Sequence, residues 1–273
     1  MKNAAIPRFL YGTAWKAERT AGLVERAVLA GFRGIDTACQ PKHYHEPGVG
    51  AALKALAAKG VPREALFLQT KFTSLDGQDP ARVPYDPAAA LPDQVAQSVA
   101  ASLKNLGTTS LDSLVLHSPM RTFEETLTVW QAMELVRLAG GTRLLGISNC
   151  YDLDFLKELH QAASVKPAVV QNRFYRQTGY DSDLRAWCRD EGIVYQSFWT
   201  LTANPDVLAH KAVLGVARAL GKTPAQVLFR FLVEQGVSPL TGTTSDVHMK
   251  EDLEVLEFEL PGEAVAALRP LFE

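Results

Sequence analysis

The sequence predicts an α/β protein in which eight parallel strands and their helices close into a single (β/α)8 TIM barrel spanning residues 1–273. Two observations support this prediction. Short apolar runs rich in Val, Ile, Leu and Phe alternate almost throughout with longer segments of helical period. Parallel neighbours need crossover connections rather than tight turns, and about 250 residues is the usual size of a closed barrel of eight such units.

The predicted strands are all short, as expected for strands buried between helices. An open doubly wound sheet is the alternative fold. It usually carries a glycine-rich dinucleotide fingerprint after its first strand, whereas here that strand ends in Gly12-Thr13-Ala14-Trp15. The eight predicted strands cover residues 8–13, 32–38, 65–72, 111–118, 143–149, 167–174, 193–199 and 237–243.

The segments between the strands predict amphipathic helices with recognisable ends. Residues 19–31 place their apolar side chains on one helical face. Gly107 is a plausible C-terminal stop for a second helix. Thr122, with Glu125 three residues later, has the pattern of a capping box that begins another. The stretch 73–91 is rich in Gly, Pro and polar residues, which predicts a long loop at the catalytic rim of the barrel.

Composition narrows the classes of function. With 28 Lys+Arg against 30 Asp+Glu, the formal charge is −2, so we expect binding neither to nucleic acid nor to anionic membranes. No apolar run approaches the roughly 20 residues of a membrane span, and no apolar leader segment precedes Pro7. The 3 cysteines show neither a disulfide nor a zinc pattern. We therefore expect a cytoplasmic protein with reduced thiols and no metal.

Candidate catalytic residues lie where the predicted strands end, because those ends share one cavity in a barrel. Asp36, Lys71 and His117 end the second, third and fourth strands, and Tyr44 lies in the loop after the second. The fifth and sixth strands end in further polar side chains, namely Ser148, Asn149 and Gln171.

The four residue types Asp, Tyr, Lys and His suit one kind of chemistry. A phenol titrates near 10, so Tyr44 is a proton donor at neutral pH, and we expect the Lys71 ammonium to lower its pKa. Asp36 would hold that ammonium in place, and His117 would donate a second hydrogen bond to the oxygen that Tyr44 protonates. This set suits carbonyl reduction, for which a cofactor must supply the hydride.

At this point the motifs resemble those of a known family. GTAW, GFRGIDTA, YHEPGVG, QTKF, LVLHSP, LLGISNC and PAVVQNRF, in this order, resemble the aldo-keto reductase superfamily over nearly the whole chain. The resemblance implies a (β/α)8 barrel that binds NADP(H) or NAD(H) without a Rossmann domain. It also implies a monomer that reversibly reduces small-molecule aldehydes or ketones to alcohols.

The resemblance assigns roles to individual residues. The catalytic four become Asp36, Tyr44, Lys71 and His117. Apart from the resemblance, their places in loops near the strand ends make Trp15 and Trp199 candidate substrate contacts beside His117, with packing at the core or rim as the alternative for the two tryptophans. Among the cofactor contacts, three polar residues would bind the nicotinamide carboxamide and Phe198 would stack on its ring. The full set of expected cofactor contacts is Thr13, Ala14, Asp36, Ser148, Asn149, Gln171, Phe198, Leu201, Thr243, Ser245, His248, Glu251 and Asp252.

Two departures from the family pattern matter for the site. The interval from Asp36 to Tyr44 is longer than usual, which makes Tyr85 the fallback proton donor. In the segment that grips the adenosine 2′-phosphate, Gly242 and His248 stand where the family has Lys and Arg. Because neutral His cannot replace a bidentate Arg, we expect a weakened preference for NADPH. Lys222 or Lys250 would be the compensating cation.

Three other readings remain open from sequence. Lys71 would form a Schiff base in an aldolase, although a neighbouring Asp36 should raise rather than lower its pKa. His43 and His45 would form part of a zinc site in a hydrolase. A nicotinamide-nucleotide-binding regulatory or redox-sensor protein with little turnover is the alternative from a different functional class.

Overall fold

The computed structural model describes residues 5–272, and its strands confirm the predicted barrel. Every strand pairs in parallel with the next, and the eighth closes on the first. Residues 1–4 and Glu273, at the two ends of the predicted domain, lie outside the described residues. The strands are β1 (Leu10–Gly12), β2 (Gly34–Asp36), β3 (Phe67–Phe72), β4 (Leu111–Leu116), β5 (Thr142–Ser148), β6 (Val169–Arg173), β7 (Val194–Phe198) and β8 (Val237–Thr241).

Helices surround the barrel, and none in the described range is both long and apolar enough to cross a bilayer. Several short 3-10 turns accompany them, among them Leu75–Gly77 and Arg176–Asp181. The helices are α1 (Thr20–Ala30), α2 (Glu46–Ala58), α3 (Leu91–Leu106), α4 (Phe123–Leu138), α5 (Leu153–Ala162), α6 (Ser182–Asp190), α7 (Pro205–Leu208), α8 (Lys211–Leu220), α9 (Pro224–Glu234), α10 (Asp246–Glu254) and α11 (Gly262–Leu268).

The helix ends follow from local chemistry. Gly107 adopts the left-handed conformation at φ 64° and satisfies carbonyl groups of the last turn of α3. Thr122 Oγ1 accepts a hydrogen bond of 3.2 Å from the Glu125 backbone, which is the first of the two bonds of the capping box predicted for the start of α4. The predicted loop between β3 and α3 is present, with a 3-10 turn near its start.

Side-chain alternation along the strands separates two layers. Outward residues such as Ile35, Leu68 and Phe72 join the large core between the barrel and its helices. A smaller apolar cluster of Leu10 and Phe67 with Leu240 packs separately. Leu10 and Phe67 begin their strands and lie toward the amino-terminal end of the barrel, whereas Leu240 is near the end of β8. Polar inward residues follow Phe67 along β3.

A close approach of α2 to α3 predicts an effect on stability. A Cβ atom at Gly50 would lie 2.2 Å from the Asn105 carbonyl oxygen, so Gly50→Ala must push the two helices apart. We expect Gly50→Ala to lower the free energy of unfolding by about 1–3 kcal/mol in urea titrations. Gly22→Ala in α1 is the matched control, because a Cβ there meets nothing within 4 Å. Equal effects of the two substitutions would contradict the packing argument.

Candidate active site

A cleft with a volume of about 760 Å³ opens at the carboxyl-terminal end of the barrel. Seven of the eight strands, or the residues directly after them, contribute to its wall. A volume in this range is typical of small-molecule sites, which lie at this end in barrel enzymes. The predicted functional residues are therefore expected to line this cleft.

A buried ion pair forms the floor of this cleft. Lys71 Nζ lies 2.6 and 2.7 Å from the two carboxylate oxygens of Asp36 and donates a third hydrogen bond of 2.8 Å to the Thr37 carbonyl. The two side chains are only 1% and 3% exposed. Burial lowers the pKa of Lys71, and the Asp36 carboxylate opposes that shift. Asp36 raises this pKa as expected, but burial outweighs its effect, so the net shift is downward.

A layer of glutamines extends the ion pair across the barrel. Gln69 Nε2 and Gln171 Nε2 both donate to Asp36 Oδ1, at 2.7 and 3.0 Å. Both amides also donate to Gln196 Oε1. In the sequence these glutamines are single polar residues at inward positions of apolar strands. Their contact with one another was not predictable, because Gln69 and Gln196 are more than 100 positions apart.

Tyr44 reaches the site because the longer loop after β2 folds back on itself. The backbone N–H groups of His43 and Tyr44 both donate to the Gln40 carbonyl, which closes a turn. The Tyr44 ring centroid lies 5.3 Å from Lys71 Nζ and 5.9 Å from the ring of His117. The added residues are thus taken up by the turn.

Tyr85, the fallback proton donor, is committed elsewhere. Its hydroxyl donates a 2.7 Å hydrogen bond to the Thr73 carbonyl, and its ring packs on Phe72 inside the core. Tyr85 does not line the cleft, whereas Tyr44 does. Of the two candidates, the structure brings only Tyr44 to the polar cluster.

The pKa of Tyr44 is raised above 10, and the expectation that Lys71 lowers it is wrong. Burial of the phenol is the main cause, and the Asp36 carboxylate adds to it. Because Lys71 is paired with Asp36, its charge does not offset these two effects. The phenol therefore stays protonated throughout the neutral range.

His117 is neutral in the same range. Burial, the Lys71 ammonium and His43 lower its pKa to about 3. Its Nδ1 lies 2.6 Å from Thr73 Oγ1, and when that hydroxyl donates, the ring proton is on Nε2. His117 is then a hydrogen-bond donor without being a cation.

The residues predicted to hold the nicotinamide line the cleft together. Ser148 Oγ donates to the Gln171 carbonyl at 2.6 Å, and Asn149 Nδ2 donates to the His117 carbonyl at 2.8 Å. Because Gln171 Nε2 is used within the glutamine layer, its Oε1 is the atom left for a ligand. The cleft lining includes Ala14, Asp36, Ser148, Asn149, Gln171, Phe198 and Leu201 from the predicted cofactor set.

The predicted adenosine-phosphate contacts are only partly in the cleft. Thr243 and the exposed His248 line it. Ser245 instead caps α10 by accepting a hydrogen bond from the His248 backbone. Asp252 is buried, with its pKa raised to about 6 by burial, and the Glu251 carbonyl accepts a hydrogen bond from Gln226.

Thr13 also lies outside the cleft lining. It is fully buried, and its hydroxyl donates to the Asp36 carbonyl at 2.9 Å. In the described structure Thr13 therefore supports the strand end that carries the ion pair.

Two cations that sequence reasoning missed also line the cleft. Lys16 is 3% exposed and donates a 2.7 Å hydrogen bond to the Gly242 carbonyl, and burial lowers its pKa to about 8. Arg173 places its guanidinium carbon 4.2 Å from the ring centroid of Trp199. Within residues 5–272, no carboxylate forms an ion pair with either side chain.

Lys16 faces the position at which the family pattern has a lysine. A Cβ atom at Gly242 would lie 3.6 Å from Lys16 Nζ, with only a backbone oxygen as the other neighbour within 4 Å. A cation from the first loop therefore occupies the space that a side chain at 242 would enter. The only hint in the sequence is a lysine directly after the GTAW motif.

Two exposed tryptophans form part of the cleft rim. Trp15 is 63% exposed with its ring against His43, and Trp199 is 47% exposed with its ring against Arg173. Both have left-handed backbones, with φ of 62° and 56°, which are costly for bulky residues. The two tryptophans thus combine a strained backbone with an exposed indole ring at the cleft rim, where a ring could contact a substrate.

The described residues fit a dinucleotide in this cleft. Its wall combines an aromatic face at Phe198 with amide groups and with two cations that lack ionic partners. Its one acidic lining residue, Asp36, is already neutralised by Lys71. Such a donor set suits a ligand with an aromatic ring, a carboxamide and phosphates.

The alternative chemistries find less support in the geometry. All three hydrogens of the Lys71 ammonium are engaged, which opposes a role as a Schiff-base nucleophile. His43 packs against Trp15, with ring centroids 3.8 Å apart. In the described part of the chain, no three His, Cys, Asp or Glu side chains gather as a metal site would require.

A barrel with a Tyr, His, Lys and Asp cluster at its carboxyl-terminal end defines a class of oxidoreductase, and comparison with known proteins identifies the family. The model of the aldo/keto reductase family matches residues 10–273. The chain therefore belongs to the aldo/keto reductase family, whose members are oxidoreductases that use NAD(P)H.

Individual relatives agree with this assignment. An aldo-keto reductase of Mycolicibacterium smegmatis is 29% identical over 98% of this chain and 90% of its own length. A glyoxal reductase of Bacillus subtilis is 28% identical over 88% of this chain and 79% of its own. A crystal structure of an aldo-keto reductase complexed with NADPH superposes with a TM-score of 0.80 and 25% identity, covering 99% of this chain and 86% of that one.

The lowered pKa of His117 predicts a pH effect on stability. Between about pH 3 and pH 6.5 the unfolded chain binds a proton at this residue that the folded chain does not, so acidification destabilises the fold. In His117→Asn this contribution is lost, and the stability of the wild type relative to the variant should fall from pH 7 to pH 4. Urea titrations at each pH measure this difference. It should be constant between pH 7 and 8, and a constant value down to pH 4 would contradict the assignment.

Proposed function

We propose that this chain reduces aldehydes or ketones to alcohols by hydride transfer from NAD(P)H, with Tyr44 as the general acid. The observation that carries the proposal is the convergence of a protonated phenol, a neutral imidazole and a paired ammonium in one cleft. Carbonyl reduction needs a proton for the oxygen and a hydride for the carbon. The four side chains provide for the first requirement only.

Ser148, Asn149, Gln171 and Phe198 would hold a dihydronicotinamide, which would supply the hydride when bound. Tyr44 gives its phenolic proton to the carbonyl oxygen as negative charge develops there. The Lys71 ammonium lies beside the phenolate that remains, and Asp36 fixes the position of that ammonium. His117, with its proton on Nε2, donates a second hydrogen bond to the same oxygen and orients the substrate.

For the cofactor we propose NADP(H), with NAD(H) also accepted. A neighbouring aldo-keto reductase was crystallised with NADPH, which supports the first. The absence of a side chain at Gly242 and the exposed His248 support the second, because neither offers the bidentate charge that Arg gives a phosphate. Lys222 is paired with Glu254 at 3.3 Å, so it is a weaker candidate for compensation than Lys16.

The proposal includes a cytoplasmic location and a monomeric state. The three cysteines, which are free and buried thiols, support a reducing compartment. The monomer rests on the family resemblance alone.

Tyr44→Phe tests the general-acid role. Removing one hydroxyl should lower kcat for a small aromatic aldehyde by at least about 100-fold, because nothing else in the cluster donates the proton. The dissociation constant for NADPH should change by less than about twofold, since the ring remains. Loss of NADPH absorbance and calorimetry measure these two quantities.

Tyr85→Phe is the matched control for this experiment and should leave turnover intact. If Tyr85→Phe abolishes turnover and Tyr44→Phe does not, the assignment of the proton donor is wrong. A wild-type protein that binds NADPH but reduces no carbonyl in a panel of aldehydes, ketones and diketones would favour the sensor alternative.

His248→Arg tests the adenosine-phosphate assignment. The new guanidinium should tighten NADPH about tenfold, because it adds charge-assisted hydrogen bonds to the 2′-phosphate, and should leave NADH nearly unchanged. Calorimetric titration with each cofactor provides the comparison. Equal tightening of both cofactors would contradict a 2′-phosphate site at residue 248.

A further inference from the structure

Arg173 lines the cleft, and no acidic side chain of the described residues pairs with its positive charge. It is the last residue of β6, and its guanidinium carbon lies 4.2 Å from the ring centroid of Trp199 and 5.3 Å from that of Tyr175. Cation–π contact with these two rings restrains the position of the guanidinium. Its N–H donors remain available for another partner.

No acidic side chain neutralises Arg173 within the described residues. The contrast with Arg176, three positions later, is direct, because Arg176 pairs with Asp206 at 3.3 Å outside the cleft. The acidic residue that does line the cleft, Asp36, is fully engaged by Lys71. Arg173 is half-buried in the cleft, and a ligand that supplies negative charge there would pair with its guanidinium.

The strand register places Arg173 next to the predicted nicotinamide contacts. Arg173 is opposite Phe198 in the β6–β7 pairing, and it follows Gln171 by two residues on the same face of the strand. The guanidinium is therefore one step nearer the mouth than the amide expected to hold the carboxamide. A planar guanidinium at this distance matches the paired oxygens of a phosphate or a carboxylate.

We propose that Arg173, held by Trp199, binds an oxyanion of the ligand in this cleft. The proposal rests on the proposed function, which offers two sources of that oxyanion. One is the pyrophosphate of the dinucleotide, and the other is a carboxylate on the carbonyl substrate. Either would supply the missing negative charge, and their binding can be measured separately.

The first arm measures the pyrophosphate without any turnover. ADP-ribose carries the pyrophosphate but neither the nicotinamide nor a 2′-phosphate. Calorimetry would give its dissociation constant for wild type, Arg173→Gln and Arg173→Lys. With a pyrophosphate contact, Arg173→Gln should weaken ADP-ribose and NADP⁺ equally, by about 10- to 100-fold. Arg173→Lys should lie between, because it keeps the charge but loses the planar fork.

The second arm measures a substrate carboxylate. Phenylglyoxylate and its methyl ester share one reacting ketone and differ in the carboxylate charge. With a carboxylate contact, Arg173→Gln should raise the KM of the acid by about 10- to 100-fold, leave that of the ester unchanged, and leave ADP-ribose binding unchanged. Unchanged kcat for the ester would show that the catalytic groups remain in place.

Arg176→Gln is the matched control, since it removes the same charge nearby from a residue that is already paired and lies outside the cleft. It should change neither arm. The proposal is overturned if Arg173→Gln changes neither ADP-ribose binding nor the preference for acid over ester. It is equally overturned if Arg176→Gln has effects of the same size. Because the first arm needs no turnover, an inactive wild type that still binds ADP-ribose through Arg173 would contradict the reductase function and not this inference.

Discussion

The ion pair between Lys71 and Asp36 is the interaction on which the site depends. Two charges that are almost wholly removed from water are costly unless their hydrogen-bonding groups are satisfied. Here Lys71 uses all three of its hydrogens, and Asp36 Oδ1 also accepts from two glutamines. The barrel provides this geometry because strands β2, β3 and β6 turn polar residues into its interior, where they meet at Asp36.

The ion pair also sets the protonation of the two donors above it. The Asp36 carboxylate helps to raise the pKa of Tyr44, and the Lys71 ammonium helps to lower that of His117. The two pKa shifts are opposite in direction but have the same result. At physiological pH both side chains are uncharged, and each keeps one proton that it can donate, on the phenol oxygen of Tyr44 and on one ring nitrogen of His117. A phenol and an imidazole that both donate can share one developing oxyanion without adding net charge to a buried site.

Much of the architecture followed from the sequence because local rules decide it. All eight strands were predicted, since short apolar runs between helical segments have few other arrangements. The catalytic cluster was predictable because each of its members lies at the end of a strand or in the loop after it. The pKa shifts of Tyr44 and Lys71 were not, because they depend on burial, which neighbouring residue types alone do not give.

The roles of Lys16 and Arg173 were missed for a related reason. Lys16 is a single cation in a loop, and Arg173 is a single cation at a strand end. Each stands out only because no acidic side chain of the described residues pairs with it, which the sequence does not reveal. Lys16 faces Gly242 across 226 positions of sequence, and Arg173 is held by the ring of Trp199, which lies directly after the next strand. Three other residues were expected to contact the cofactor but do not line the cleft. Ser245 caps α10, Asp252 is buried, and Thr13 donates its hydroxyl to the Asp36 carbonyl.

The proposed reaction is direct hydride transfer from a nicotinamide to a carbonyl carbon in this cleft. It can be tested by a reaction of the wild-type protein with an aromatic aldehyde and NADPH fully deuterated at C4 of the dihydronicotinamide, in ordinary water. We expect a benzylic alcohol with one deuterium on the carbinol carbon, seen by NMR and mass spectrometry. Formation of alcohol without that deuterium, or no alcohol while NADPH stays bound, would contradict it.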